Sequence, residues 1–418
     1  MLSSLQRTVG TERTIIRITM LLCCVVTFVR WPELLLNAQF WGEDGWNWWP
    51  EARTIGLPSL WLPHTGYLQT IDRIVALISV PFPLTYGPTI FATAAFIFQV
   101  LPALFLISSR GASLCPSLFL RCAIGLAWCA IPNAREGYCN LTNTQWHLCI
   151  LSFLIVMSGA PSRLSEWIFD CSMLTIGALS GPFSLVLAPV AALRVWQERS
   201  RASIIRFGLI AVGAVIQGLL IHATQRGVPA NLGASPIAFA RLISSQVVLA
   251  LTVGHTQLPS WYALGLWQIG VLPWIIFLVA LWLSVSAMYR WPVMRMALFL
   301  TVLLLAACLS HPLESSDDTP VWRALLIPDA GVRYLSDTCV FWITVVIVQA
   351  LAAPWGWTKA AAIAILAIMV TTGIPRDWRM PADPDRGFYT IAHAYDKAPK
   401  GSSFTVPVRP NSQATYIK

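Results

Sequence analysis

Two adjacent carboxylates stand in an aromatic segment near the N-terminus of the chain. Glu43 and Asp44 lie within Trp41-Gly-Glu-Asp-Gly-Trp-Asn-Trp-Trp49, shortly after the first long apolar stretch. A carboxylate at the edge of a bilayer is costly to keep away from water, so such a pair is more often retained for binding or catalysis than by accident. A carboxylate can also act as a general base toward a hydroxyl group. The structural alternative is a solvated loop within an interfacial belt of aromatic residues.

Three further segments place polar side chains at the ends of apolar runs. The candidate substrate-binding residues in these segments are His64, Tyr67, Arg73, Glu136, Asn140, Asn143, Trp146, Arg333 and Tyr334. Arginine guanidinium groups suit the binding of phosphate, and aromatic faces suit contact with sugar rings. The last segment follows an acidic loop at 314–318. We therefore predict one shared cavity, lined by Glu43, Asp44, Glu136 and Arg333 with Tyr67 and Trp146 near its wall.

Each of these residues also has an ordinary structural explanation. Glu136 could pair with Arg135, a contact worth about 0–1 kcal/mol when exposed. Asn140 and Asn143 could cap the helix that begins near them. Arg333 could extend its charge toward the interface, and His64 could be a loop histidine without a role in binding. Their common placement at the ends of separate apolar runs favours the shared cavity.

The composition indicates a polytopic membrane protein. Of the 418 residues, 56% are hydrophobic and only 11% are charged, whereas soluble domains carry about 25% charged residues. The net charge of +9 does not predict a nucleic-acid partner, because the basic residues fall mostly in short loops where they determine membrane topology. The expected partner is instead the lipid bilayer.

Cysteine usage and sequence motifs exclude several classes of protein. Most of the ten cysteines lie inside apolar runs and none forms a CxxC pair, so we expect neither a disulfide framework nor a cysteine-based metal site. There is no P-loop, no Rossmann glycine fingerprint and no GxSxG nucleophile elbow. No cofactor is predicted with certainty and no metal ligands are identified, although the carboxylate pair leaves a divalent cation open.

The predicted fold is an all-α polytopic bundle of about eleven transmembrane helices. The apolar runs lie at 18–36, 88–108, 112–132, 143–159, 164–179, 182–196, 202–222, 264–287, 293–310, 333–351 and 358–374. With a cytoplasmic N-terminus, the arginine-rich loops fall inside and the acidic segments fall outside, as the positive-inside rule requires. The C-terminus and the carboxylate pair are then extracytoplasmic.

Two predicted units follow from this arrangement. Residues 1–374 form the bundle, with an external loop at 37–87 that carries interfacial helices at about 46–55 and 67–80. A further amphipathic segment at 236–252 is predicted to lie along the membrane. Residues 375–418 form a small external α/β tail, with a helix over 385–395 and a strand over 404–408.

The motif order resembles that of the GT-C superfamily of integral-membrane glycosyltransferases. The matching segments are Trp41-Gly-Glu-Asp-Gly, Pro63-His-Thr-Gly-Tyr-Leu, Glu136 with Asn140-Leu-Thr-Asn-Thr-Gln-Trp146, Ser180-Gly-Pro-Phe-Ser and Arg333-Tyr334. They are similar to bacterial membrane proteins described as glycosyltransferases, including glucosyltransferases that decorate O-antigen. The resemblance implies a polyprenyl-phosphate sugar donor and a catalytic acid in the first external loop, here Asp44 by preference or Glu43. It leaves acceptor recognition open, because the tail is short.

We therefore expect an inverting glycosyltransferase of the bacterial inner membrane, acting on a cell-envelope glycan such as O-antigen. Two alternatives stay open. One is a transporter or flippase for a lipid-linked glycan, which should carry polar residues deep along several helices. The other is a membrane acyltransferase, for which His64 or His147 would be the base. The sequence does not predict the oligomeric state.

Overall fold

The computed structural model describes residues 2–224, 231–312, 319–382 and 384–418. The acidic loop predicted at 314–318 therefore lies outside the described residues. The first helices are α1 (Leu2–Arg30), α2 (Glu33–Leu36), α3 (Trp49–Ile55), α4 (Thr70–Ser79), α5 (Gly87–Ile107), α6 (Leu118–Cys129) and α7 (Thr144–Met157). A π-helical turn, Asp44–Trp48, leads directly into α3.

The middle of the chain contains α8 (Leu164–Ala178), α9 (Phe183–Glu198), α10 (Arg201–Thr224), α11 (Pro236–Leu242), α12 (Ala250–Val253), α13 (Leu258–Tyr262) and α14 (Gly265–Gln268). The remaining elements are α15 (Val271–Arg290), α16 (Pro292–Ser310), α17 (Val321–Ala324), α18 (Ser336–Ala352), α19 (Trp357–Ile368), α20 (Ile374–Arg376), α21 (Phe388–Lys397), β1 (Ser403–Val408) and β2 (Ser412–Ile417).

Local sequence signals account for several of these boundaries. The Ser117 hydroxyl accepts a hydrogen bond from the Leu120 amide at the start of α6, and Ser235 does the same for Ala238 at the start of α11. Such side chains satisfy amides that have no partner within the first helical turn. Proline in the first turn of α16, Pro292, is tolerated because that position needs no amide donor.

Seven helical segments in the described part of the chain are long and apolar enough to cross a membrane. They are Leu84–Ile107, Arg201–Thr224, Pro236–Val253, Val271–Arg290, Pro292–Ser310, Val332–Ala352 and Trp357–Arg376. These helices are consistent with a multi-pass membrane protein. The helices α6 to α9 have only 12 to 16 residues, fewer than the roughly 20 of a typical span. The count of about eleven spans therefore stays a prediction.

The segment Pro236–Val253 is more deeply packed than predicted from its sequence. Ser244, Ser245 and Gln246 are fully buried, whereas an interfacial amphipathic helix would expose its polar face. The Ser244 hydroxyl donates to the Pro273 carbonyl over 2.7 Å, and the Gln246 amide donates to the carbonyl of Leu325 over 3.1 Å. These polar groups satisfy backbone carbonyls of neighbouring segments, so this part of the predicted amphipathic segment is buried. That the segment lies along the membrane stays a prediction.

The C-terminal tail packs into the same hydrophobic core as the helices. The predicted tail helix appears as α21 and the predicted strand as β1, which pairs antiparallel with β2, a strand that was not predicted. Tyr416 of β2 lies 4.8 Å from the Trp49 ring, and its hydroxyl donates to the Gly45 carbonyl over 2.8 Å. A Cβ atom on Gly45 would lie 2.7 Å from Val408, so glycine permits the close approach of the tail. The tail thus packs against the segment that carries Glu43 and Asp44.

A buried ionic network joins the turn Ser109–Ser113, which follows α5, to α8 and α10. Asp170, fully buried, accepts hydrogen bonds from Arg110 over 2.9 Å and from Arg206 over 2.7 Å. Arg206 also donates to the backbone carbonyls of Ser158 and Gly159 over 2.7 and 2.9 Å. Charges in such an environment are tolerated when they are paired and hydrogen-bonded.

Replacement of Asp170 tests this network. Asp170→Ala leaves Arg206, which is 2% exposed, without its carboxylate partner, and we expect a loss of about 3–5 kcal/mol in the free energy of unfolding. The measurement is thermal unfolding of the purified protein in detergent. Glu166→Gln, which alters a more exposed carboxylate 4.0 Å from Arg110, is the matched control and should cost about 0–1 kcal/mol. Equal melting of the two variants would contradict the role of Asp170.

Candidate functional site

A polar cavity of about 720 Å³ lies between the loop at 37–87 and the ends of several helices. Its wall includes eight of the predicted site residues: Glu43, His64, Tyr67, Glu136, Asn143, Trp146, Arg333 and Tyr334. Three other predicted residues, Asp44, Arg73 and Asn140, are not part of the wall. The structure therefore brings most of the separate polar segments together around one space, which we call the polar cavity.

Asp44 lies directly behind the wall of the polar cavity. Its side chain is 3% exposed, and its Oδ1 accepts hydrogen bonds from the Thr142 amide over 3.1 Å and the Thr142 hydroxyl over 2.8 Å. Thr142 itself lines the cavity, as does Glu43. The prediction that Asp44 lines the cavity is therefore wrong. Glu43 faces the open space at the start of the π-helical turn, and Asp44 lies behind the wall.

Asp44 is more readily protonated in the folded protein than in water. The pKa of Asp44 is raised to about 7, mainly by burial and in part by the charge of Glu43, while the hydrogen bonds from Thr142 act in the opposite direction. A carboxyl group that titrates near neutral pH is suited to accepting and releasing protons.

A second carboxyl group, Asp72 of α4, lies deeper in the protein. It is fully buried, and neither of its oxygens has a hydrogen-bond partner within the described part of the chain. Burial, together with the nearby charge of Asp44, raises the pKa of Asp72 well above its ordinary range. We infer that Asp72 is held neutral, because an unpaired buried carboxylate would be costly.

Glu136 and Arg333 form an ion pair across the cavity wall. The Arg333 guanidinium contacts the Glu136 carboxylate, and the Arg333 backbone amide donates to Glu136 Oε2 over 3.0 Å. The guanidinium also lies 4.7 Å from the Tyr334 ring. The sequence suggested Arg135 as the local partner of Glu136, but Arg135 instead lies 5.7 Å from the ring of Trp31. Tertiary packing thus pairs Glu136 with a residue that is distant in sequence.

The two asparagines organise the loop that carries Glu136. The Asn140 side-chain oxygen accepts a hydrogen bond from the Asn143 amide over 3.1 Å, and both side-chain amides donate to the Glu136 carbonyl, over 2.6 and 3.0 Å. Asn140 therefore has the capping role that the sequence left open. Asn143 combines this structural role with a position on the cavity wall.

Arg73 is shielded from the polar cavity by Trp48. Its side chain is 1% exposed, pairs with Glu51 over 2.6 Å and lies 4.9 Å from the Trp48 ring. The Trp48 ring in turn lies 4.9 Å from the ring of His64, and its indole nitrogen donates to the Thr142 hydroxyl over 3.1 Å. The predicted contact between Arg73 and a substrate would require this wall to move.

His64 does face the cavity, and burial lowers its pKa.

Several cavity residues were not predicted from the sequence. His222 follows the apolar part of α10 and His311 follows α16, and both line the polar cavity with Gln69 and Gln145. The only sequence signal was a polar residue at the end of an apolar run, which is common in membrane proteins and does not distinguish a site. Within the described residues, no three His, Cys, Asp or Glu side chains are grouped closely enough to hold a metal ion.

A second cavity, of about 360 Å³, lies between α6, α7, α16 and α18. Its wall is almost entirely apolar, and both Asp337 and Val348 of α18 line it, a separation of about 16 Å along an α-helix. Leu304 of α16 lines this cavity and the polar cavity alike. We call this second space the apolar cleft. Its length suits an extended hydrocarbon chain.

The titration of Asp44 should be visible in the stability of the protein. Because the pKa of Asp44 in the folded protein is about 7, above its unfolded value near 4, the folded state binds the proton more tightly. Its contribution to stability is therefore present at low pH and is lost as the pH rises from about 4 to about 7. We expect Asp44→Asn to remove this part of the pH dependence of thermal unfolding, whereas Glu12→Gln, on the exposed face of α1, should leave it unchanged. Parallel pH curves for wild type and Asp44→Asn would contradict the burial argument.

Comparison with known proteins identifies no relative of this chain. No protein-family model, no curated protein and no solved structure matches it. The GT-C resemblance therefore rests on the sequence motifs alone, and a function must be argued from the site itself.

Proposed function

We propose that this chain is a membrane glycosyltransferase of the GT-C type, which moves a sugar from a polyprenyl-phosphate donor to a cell-envelope glycan such as O-antigen. The observation that carries the proposal is that the two cavities are neighbours, with Leu304 in the wall of both. A space with carboxylates and an arginine adjoins an apolar space, and an amphiphile with a sugar-phosphate head and a hydrocarbon chain would match both. The proposed location is the bacterial inner membrane, with about eleven spans, the N-terminus inside and the polar cavity outside.

The donor head group would lie in the polar cavity with its phosphate near Arg333. The guanidinium already contacts Glu136, so an entering phosphate would share or replace that carboxylate as its partner. Planar guanidinium groups bind phosphate through two parallel hydrogen bonds. This contact would stabilise the negative charge that develops on the departing phosphate. Trp146 and Tyr334, whose rings lie 6.0 Å apart, would contact the sugar.

The acceptor hydroxyl would enter from the side of Glu43. In the proposed step its oxygen attacks the anomeric carbon of the sugar, its proton passes to a carboxylate, and the bond between that carbon and the phosphate oxygen breaks. The phosphate leaves with the bonding electrons, and the configuration at the anomeric carbon is inverted. Glu43 lines the cavity and Asp44 lies behind Thr142, so the geometry favours Glu43 as the base, in place of the initial preference for Asp44. Asp44 would then influence Glu43 through its protonation state, because its carboxyl group is charged in one form and neutral in the other.

Paired variants test the assignment of the base. We expect Glu43→Gln to lower the rate of transfer by about 10²–10⁴-fold, because the amide cannot accept the proton. Asp44→Asn should reduce the rate less and change its pH dependence. The measurement is sugar transfer in membranes from a radiolabelled polyprenyl-phosphate sugar, with Glu12→Gln as the control. The opposite order of losses would return the role of base to Asp44, and full activity in the double variant would refute the proposed site.

A bulky side chain in the apolar cleft tests the position of the donor chain. Ala297 of α16 lines the cleft, and we expect Ala297→Trp to raise the KM for a long-chain donor by about tenfold or more, because the indole occupies the space of several methylene groups. A donor with a short chain should be affected little. Leu281→Trp, on a 43% exposed position of α15, is the matched control. Equal effects of Ala297→Trp on both donors would contradict a donor chain in the cleft.

A further inference from the structure

A histidine between two carboxylates joins three separate chain segments at some distance in sequence from the proposed catalytic residues. His255 Nδ1 lies 2.6 Å from Asp377 Oδ2, and His255 Nε2 lies 3.5 Å from Asp329 Oδ2. The backbone amide of His255 also donates to Asp377 Oδ2, over 2.8 Å. Asp377 follows α20 and Asp329 lies in the loop before the turn Val332–Leu335.

The two carboxylates differ in how firmly they are held. Asp377 is buried and receives two hydrogen bonds from His255, whereas Asp329 is about one-third exposed and contacts the same ring through the longer separation. Asp329 also adopts a left-handed backbone conformation, with φ of 67°, which costs free energy for a residue other than glycine. The Asp329 side of the cluster is therefore the weaker one.

Among the described residues, two arginines also contact the segments that hold His255. Arg30, which is fully buried, donates to the Asp377 backbone carbonyl over 3.3 Å, and Arg376 donates to the Val253 carbonyl over 3.3 Å. Burial lowers the pKa of His255 and so does Arg30, but the hydrogen bond to Asp377 and the charges of Asp329 and Asp377 outweigh them, so the pKa is raised overall. The imidazolium form is thus favoured in the folded protein.

We propose that His255 is a pH-sensitive latch that holds the loop around Asp329 against the segment that carries Asp377. In the charged form both ring nitrogens donate, one to each carboxylate. In the neutral form the Nδ1 proton stays with Asp377, which leaves the Nε2 lone pair facing the Asp329 carboxylate. Loss of the proton therefore breaks only the contact with Asp329.

The direction of the effect follows from linkage. Because the folded state favours the charged form, the latch contributes fully below the unfolded pKa of about 6.5 and is lost as the pH rises through the higher folded value. The loop leads within four residues to Arg333, which lines the polar cavity. An open latch would loosen this wall. The latch does not depend on the proposed function, because it concerns the order of the loop around Asp329.

Hydrogen–deuterium exchange of the full chain in lipid nanodiscs tests the latch. Peptides that cover residues 325–335 are followed between about pH 5.5 and about pH 8.5, across the range in which histidine titrates, with intrinsic exchange rates corrected by an unstructured reference peptide. We expect the corrected exchange of this loop to increase by about 2–5-fold at the higher pH, as suits a partly exposed ion pair. Asp329→Asn, which keeps the size of the side chain, and His255→Gln should both remove the pH dependence.

The control is His393→Gln, an exposed histidine on α21, which should behave as wild type. Loop exchange that does not depend on pH in the wild-type protein would overturn the latch. It would also be overturned if Asp329→Asn kept the full increase, since the contact that breaks would then lie elsewhere. Because Asp329 is partly exposed, its replacement allows a decision even where His255→Gln disturbs folding.

Discussion

The cost of removing charge from water is the constraint on which this structure depends. With few charged residues and many apolar helices, the chain can keep ionic groups in its interior only where they are paired or neutralised. Asp170 satisfies this condition through two arginines, whereas burial raises the pKa of Asp72 and so favours its neutral form. Asp44 lies between these cases, with two hydrogen bonds from Thr142 and a pKa near neutrality. Its position explains how an acid can be both buried and chemically useful.

The segment that carries Glu43 and Asp44 is held by the C-terminal strand and by the turn before α7. Tyr416 of the C-terminal strand binds the Gly45 carbonyl, and Thr142 binds the Asp44 side chain. Trp48 joins the same cluster through its hydrogen bond to Thr142. A short segment with two carboxylates would repel itself and remain mobile if it were isolated. Contacts from the tail and from the turn Leu141–Asn143 before α7 hold it in place, so the small tail contributes to the geometry of the candidate site.

The two cavities divide the requirements of an amphiphilic ligand. The polar cavity offers carboxylates, histidines and one arginine, whereas the apolar cleft offers stripes of side chains from four helices. Leu304 lines both, so the two spaces are neighbours. This complementarity is the main structural support for a lipid-linked substrate. It would be unnecessary for a ligand that is soluble in water.

The sequence by itself determined the helical class, the apolar character of the chain and most of the polar segments of the candidate site. Those features depend on residue type and short-range periodicity, both of which are present in the sequence itself. Tertiary structure decided the partners: Arg333 rather than Arg135 for Glu136, Thr142 for Asp44, and Glu51 for Arg73. It also decided that Glu43 faces the cavity while Asp44 does not, and that Ser244, Ser245 and Gln246 are buried. The reason is that pairing and burial depend on contacts between residues distant in sequence, whose geometry is set only when the helices pack.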